Sequence, residues 1–308
     1  MKAQMTDLLF HEVGLRDGLQ MEALTVPTDQ KLRWLRMLMH SGVDIIQVGS
    51  FVHPVKVPQM ADTDRLFADL AASGVKPADV TLSALVLNEK GLERGLACGV
   101  EMFCMGVSAS ETHSRKNTGM GIEEATERII AMALEAGAAG KRVQVSVQSA
   151  FGCGYEGNVP QERVLGIVRR YCDAGLKNIS LADTAGHALP DQVEQMFSAI
   201  ALLDGDVEPA CHFHNTYGLG LANAYAALKA GVCSFESSVA GLGGCPFTKI
   251  AGGNVCTEDL VHMFRNMGFR RDVSLEQLIA VANDMANYFG RELPGTVYRT
   301  GTLEVTRT

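Results

Sequence analysis

His212 and His214, separated by one residue, are the sharpest chemical feature of this 308-residue chain. They fall in the short run ACHFH (210–214), which reads as a strand. Residues i and i+2 of a strand project to one face, so two imidazoles there can share one metal ion. The plain alternative is a pair of buried histidines satisfied by hydrogen bonds. Asp17 and Asn254 can complete a His-His-Asp-Asn set. Such mixed nitrogen and oxygen donors suit a six-coordinate divalent ion, Mg2+ or Mn2+, with open positions for water or substrate. The set lacks the thiolates of a structural zinc site. Arg16 adjoins Asp17 and would act as a fixed cation that stabilises a developing oxyanion or enolate; otherwise it makes a surface ion pair. The stretch GLGGCPF (241–247) is glycine-rich and able to move. Its Cys245 could be delivered as a general acid when the loop closes. The other seven cysteines read as structural thiols of a reducing, cytoplasmic protein, since no C-x-x-C pair occurs.

These residues need a scaffold that brings distant segments together. Eight short apolar runs begin near residues 8, 45, 80, 102, 143, 178, 210 and 234. Helical patterns lie between them. Residues 28–41 repeat Leu32, Leu35 and Leu38 behind Thr28, a candidate N-cap. Residues 121–139 and 274–290 are also amphipathic. Glycines 42, 74, 99, 140, 175, 205, 231 and 268 follow the helical stretches at a mean spacing of about 32 residues, the size of one βα unit. Eight such units predict a (β/α)8 TIM-like barrel, α/β in class, with an open doubly wound sheet as the alternative. The whole chain, 1–308, reads as one catalytic domain: the barrel to about residue 270, then a C-terminal helical extension ending in a loose tail after Pro294 and Gly295. In such a barrel the functional residues gather at the C-terminal ends of the strands. Here those ends offer Glu12, Arg16 and Asp17; Gln47 and Ser50; Asp183 and Thr184; His212 and His214; then Asn254 and Glu258. Net charge is −8 and no run of Lys or Arg occurs, which argues against nucleic-acid binding. No apolar run approaches the length of a membrane span.

Taken together, the segments EVGLRDGLQ (12–20), SFVHPVKVPQM (50–60), GCGYEG (152–157), SLADTAG (180–186), HFHNTYGLGLAN (212–223), SSVAGLGGCPF (237–247) and GNVCTEDL (253–260) resemble the hydroxymethylglutaryl-CoA lyase family of metal-dependent barrel lyases. The resemblance runs over essentially the whole chain. It implies a divalent metal held by Asp17, His212, His214 and Asn254. Arg16, Asp183 and Cys245 would be catalytic. Glu12, Gln20, Gln47, Ser180, Thr184 and Glu258 would contact the substrate or support the metal shell and loop. The implied reaction is retro-Claisen cleavage of a 3-hydroxyacyl-CoA, such as 3-hydroxy-3-methylglutaryl-CoA, to acetyl-CoA and a carbonyl product. The proton acceptor stays open between Asp183, a ligand carboxylate and a histidine. The family also suggests a homodimer. Departures fall on Gln47, where the family usually has Glu; on Asn215, usually Asp; on Gln148-Ser149-Ala150, usually Ser-Cys-Ala; and on Met21, usually Asn. The alternatives are a lyase for citramalyl-CoA or a longer branched acyl-CoA, a related condensing synthase or aldolase, and a metal-binding protein without turnover.

Overall fold

The computed structural model describes residues 8–244 and 252–303. Eight parallel strands close in sequence order: β1 (Leu9–Glu12), β2 (Ile45–Ser50), β3 (Thr81–Leu85), β4 (Met102–Ser108), β5 (Arg142–Gln148), β6 (Asn178–Asp183), β7 (Glu208–Phe213) and β8 (Ser234–Ser237). β8 pairs back onto β1, with Phe10 opposite Phe235, so the sheet is a barrel and not an open doubly wound sheet. The helices α1 (Thr28–Met39), α2 (Thr63–Ser73) and α3 (Glu89–Ala97) follow β1 to β3; α4 (Glu111–Thr118) and α5 (Ile122–Ala138) both follow β4. α6 (Gln161–Asp173), α7 (Pro190–Leu203), α8 (Gly220–Lys229) and α9 (Thr257–Asn266) follow the remaining strands.

Strand alternation explains why the barrel both folds and holds a cavity. Phe10, Ile46, Phe103, Val145, Ile179, Cys211 and Phe235 point outward into one continuous core beneath the helices. Full burial of a side chain of this size is worth about 1.5–3 kcal/mol. Their neighbours His11, Gln47, Cys104, Gln144, Ser180, His212 and Glu236 take the opposite face, inside the barrel.

Three local expectations are corrected. Thr28 is the first residue of α1 and not its cap: Pro27 holds that position, and the Thr28 hydroxyl donates to Asp62 Oδ2 at 2.9 Å. Seven of the eight glycines after helices have φ between 63° and 97°, but Gly205 does not, because α7 ends through an extended Asp204 at φ −157°. The tail is not loose over 291–300. α10 (Leu275–Phe289) docks on α1, where Trp34 Nε1 donates to Asp284 Oδ2 at 2.8 Å. Beyond it Leu293, Val297 and Tyr298 are buried, α11 (Val297–Thr300) forms, and Gly295 N donates to Ala240 O at 2.9 Å.

Candidate active site

At the C-terminal mouth of the barrel β1 gives way to a π-helical turn, Gly14–Gly18, closed by Gly18 N on Val13 O at 3.3 Å. The turn carries Arg16 and Asp17 over the barrel axis. Glu12 anchors it from behind. Its Oε1 accepts Gly14 N at 2.7 Å and Val239 N at 3.0 Å, and its Oε2 accepts the Thr257 hydroxyl. Burial pushes the Glu12 carboxyl up to about 7 against those three bonds.

His212 lies on β7 and His214 just past its end. His214 Nδ1 donates to Asp183 O at 2.9 Å and His212 Nδ1 donates to Glu236 Oε2 at 3.1 Å. Both partners only accept, so each imidazole carries a proton on Nδ1 and turns Nε2 towards Asp17. Burial would lower the His212 pKa, but the Glu236 and Asp17 carboxylates outweigh it and raise it, so a metal bound at His212 Nε2 would displace a proton there. Both Nε2 atoms lie 3.8 Å from Asp17 Oδ2, and the three groups offer ligand atoms within 4.8 Å of one another. Asn254 Nδ2 donates to the same Asp17 oxygen at 2.9 Å. The His214 Nε2 and Asn254 Oδ1 atoms are buried with no hydrogen-bond partner. Orphaned acceptors around a carboxylate fit a cation, so this donor set suits the hard divalent ion that the sequence implied. Burial would raise Asp17, but Arg16, His212, His214 and Asn254 outweigh it and hold the carboxyl well below its usual range. Burial and the neighbouring His212 depress His214 to about 4, which keeps it neutral, as a ligand must be.

Asn254 is set by backbone. Residues 253–255 pair antiparallel with 213–215, through Asn215 N on Gly253 O at 2.8 Å and Val255 N on Phe213 O at 2.9 Å. A Cβ on Gly253 would stand 1.7 Å from Gly241 O, so only glycine allows that approach.

Below the mouth lies a cavity of ≈ 260 Å³. Arg16, Asp17, Gln20, Gln47, Ser180, Thr184, His212 and His214 all line it. Arg16 donates from Nε to Gln47 Oε1 and from Nη1 to Asp17. Gln47 sits third in β2, not at its end, where the pairing with β3 slips between Gln47 and Gly49. Ser180 Oγ donates to Glu236 Oε1 at 2.7 Å, and Thr184 Oγ1 accepts Ser149 N at 2.9 Å. Ser149 is held at φ 55°, in the left-handed region.

Other expected residues face elsewhere. The Asp183 carboxylate turns to the following loop, accepting His187 N at 2.8 Å and Ala188 N at 3.2 Å, and does not line the cavity. Burial lifts it to about 6 against those bonds. Its contact with the ligand set is its main-chain oxygen on His214. Glu12 and Glu258 are fully buried away from the cavity. Glu258 Oε2 accepts Ala240 N at 3.0 Å, at the root of the glycine-rich loop and not on the metal cluster. Cys245 lies outside the described residues; Gly244, just before it, lines the cavity. Sequence reading missed Glu236, Gln144 and Ser146, which also line the cavity, as does Gln148, marked there only as a departure from the family pattern. A signal existed. In RVQVSVQ the valines alternate with polar residues, and in a barrel strand packed under helices the polar set must face inward. Glu236, a charged residue at the centre of the short strand SFES, carried a similar mark.

A closed (β/α)8 barrel whose mouth gathers two histidines, an aspartate and an arginine over a cavity defines a class: a barrel enzyme with a candidate divalent-metal centre. Residues 7–285 match the family model described as HMGL-like. The chain is 37% identical over 283 residues to a hydroxymethylglutaryl-CoA lyase of Bacillus subtilis, covering 92% of this chain and 93% of that one. It is 36% identical over 296 residues to an (R)-citramalyl-CoA lyase of Chloroflexus aurantiacus, covering 94% and 93%. Its fold superposes with a TM-score of 0.91 on an HMG-CoA lyase from Acinetobacter baumannii solved with coenzyme A and 3-methylmalate, at 33% identity, covering 100% and 99%. The chain belongs to the HMGL-like family and is an enzyme of the hydroxymethylglutaryl-CoA-lyase-like kind. Among the described residues, no helix is long and apolar enough to cross a membrane.

Proposed function

We propose that this enzyme cleaves the C2–C3 bond of a 3-hydroxyacyl-CoA, with 3-hydroxy-3-methylglutaryl-CoA as substrate and acetyl-CoA and acetoacetate as products. The observation that carries the reading is the Asp17–His212–His214 cluster beside Arg16, with its orphaned His214 Nε2 and Asn254 Oδ1. Asp17, His212, His214 and Asn254 would hold the divalent ion, Mg2+ or Mn2+, which would lower the pKa of a substrate hydroxyl bound there. Arg16, tied to Gln47 and Asp17, stands beside the cluster to meet the negative charge that grows on the thioester oxygen as the bond breaks. The hydroxyl proton passes to a group facing the cavity. Asp183 is poorly placed for this role, since its carboxylate serves the loop; it acts by orienting His214. Glu236 is the one carboxylate besides Asp17 that lines the cavity among the described residues. It holds the His212 tautomer, as outer partners of metal-bound histidines commonly do. Cys245, by the family resemblance, returns a proton to the enolate carbon. Gln20, Ser180 and Thr184 shape the acyl pocket, while Glu12 and Glu258 brace the π-turn and the loop root. We read the enzyme as cytoplasmic, from its thiols without a C-x-x-C pair, and as a homodimer, which the family resemblance suggests.

A second reading is favoured by the equally long match to a citramalyl-CoA lyase, and by Gln47, where the wider family carries Glu. One assay separates them. Chelator-stripped protein is reloaded with Mg2+ or Mn2+, and acetyl-CoA release is followed from hydroxymethylglutaryl-CoA and from citramalyl-CoA. Release from the first at the higher kcat/KM, abolished by chelator, is the expected result. Preference for the second moves the enzyme to the citramalyl branch. Full activity without metal, or no release from either, sinks the lyase reading.

A further inference from the structure

The inward layers of such barrels are ordinarily filled by branched aliphatic side chains. Here β5 turns Gln144, Ser146 and Gln148 inward, and the cavity follows them down. At about 3.3 Å per residue, Gln144 lies about 13 Å along the tilted strand before Gln148 at the mouth. The cavity ends near a small apolar plug of Ile45, Met102 and Cys104, and Gln144 stands at its edge, 2% exposed. Cys104 Sγ donates to Gln144 Oε1 at 3.7 Å. Burial pushes the Cys104 thiol up to about 12, so it keeps its proton and remains the donor. Nε2, at the other side of the amide, is buried and without a hydrogen-bond partner. Of the cavity's polar groups, Ser180 is engaged with Glu236, and Arg16 with Asp17 and Gln47; Asn178 Oδ1, on the adjoining β6, is a second buried group without a hydrogen-bond partner. A buried donor left unmade in a cavity marks the place of a missing acceptor.

We propose that Gln144 is the specificity-determining residue of the acyl pocket, its Nε2 donating to an oxygen at the far end of the acyl chain while the hydroxyl end lies at the Asp17–His212–His214 cluster. The substrate class is therefore a 3-hydroxyacyl-CoA whose chain ends in an acceptor oxygen, a carboxylate above all. This rests on the lyase reading. A site built to bond an oxygen discriminates strongly against the analogue without it, because its own donor is then stranded.

The test compares 3-hydroxy-3-methylglutaryl-CoA with 3-hydroxy-3-methylbutyryl-CoA, which has a methyl group in place of the carboxymethyl arm. Wild type should favour the first by about 100-fold or more in kcat/KM. Gln144→Met, of similar length without a donor, should lose about 10- to 100-fold on the first and little on the second. Gln144→Asn, which withdraws the amide by one methylene, should show the same direction of change and guards against a misfolded Met variant. A substrate ratio unmoved in both variants overturns the proposal. Calorimetric binding of free 3-hydroxy-3-methylglutarate with Mg2+ separates this from the lyase reading. If wild type binds it about tenfold or more tighter than Gln144→Met yet releases no acetyl-CoA, the pocket assignment stands and the reaction fails. Equal binding by both proteins, or none by wild type, overturns Gln144 whatever the turnover.

Discussion

Arg16 is the residue on which the chemistry turns. Its guanidinium is committed through Nε to Gln47 and through Nη1 to Asp17, with its side chain 12% exposed. A cation fixed before the reaction costs no reorganisation when charge develops, and losing one such group typically lowers turnover by about 10²–10³. Arg16→Gln should therefore drop kcat by that factor with a smaller change in KM, measured at saturating metal. Lys should not rescue, because an ammonium cannot hold Gln47 and Asp17 in one planar fork. A change confined to KM would make Arg16 a binding group. Gln47 belongs to the same scale. Where a Glu would add a second carboxylate beside Arg16, the neutral amide accepts from Nε and leaves Asp17 as the carboxylate paired with the guanidinium among the described residues.

At the scale of elements, Asn254 depends on two glycines and a short backbone bridge. A Cβ at Gly252 would stand 2.1 Å from Thr216 Cα, and one at Gly253 1.7 Å from Gly241 O. Both obstacles are backbone, so the chain itself must move. Gly253→Ala should break the bridge of residues 253–255 with 213–215 and carry Asn254 away from Asp17. Metal affinity measured by calorimetry should fall about tenfold or more, the scale seen when support around a metal site is lost. The outer strands and helices do not depend on this bridge, so the far-ultraviolet circular dichroism should be unchanged. Metal affinity equal to wild type would show that Asn254 adds nothing to the site. The positions of the elements were legible in the sequence, because outward apolar residues and helix-ending glycines repeat at the βα period. The bridge was not legible, since nothing local in GGNV announces a partner some forty residues earlier.

For the whole molecule, stability should carry the mark of a carboxyl that braces the loop root. Glu258 is fully buried, Oε1 has no partner, and burial raises it to about 8 despite the bonds from Cys256 and Ala240. The folded protein thus keeps a proton that the unfolded chain releases near its ordinary value of 4.5. Below that pH both states are protonated and the contribution is fully present; as pH rises from 4.5 towards 8 it is lost. Glu258→Gln cannot titrate. Its melting temperature relative to wild type should therefore rise between pH 5 and pH 8.5, read by thermal denaturation at both. A difference independent of pH would mean that Glu258 titrates normally in the fold.

The sequence by itself determined the eight βα repeats and the chemical types at the strand ends. Each of these is written locally: alternation along a strand, apolar spacing along a helix, His-x-His on one face. It also marked Arg16, Asp17, His212, His214 and Asn254 as one group, which the structure brings together. Only the tertiary structure decided which way the shared side chains turn. Asp183 sits at a strand end, as a catalytic residue would, yet the backbone N–H groups of His187 and Ala188 capture its carboxylate. Glu12 and Glu258 are likewise drawn to N–H groups of the Val239–Gly241 turn, which reaches them only when β8 closes on β1. Glu236 and Gln144 became visible as cavity residues for the same reason. A strand's inner face is identified by what lies across the barrel, and closure, a contact between the two ends of the sheet, is the one property that no stretch of sequence contains.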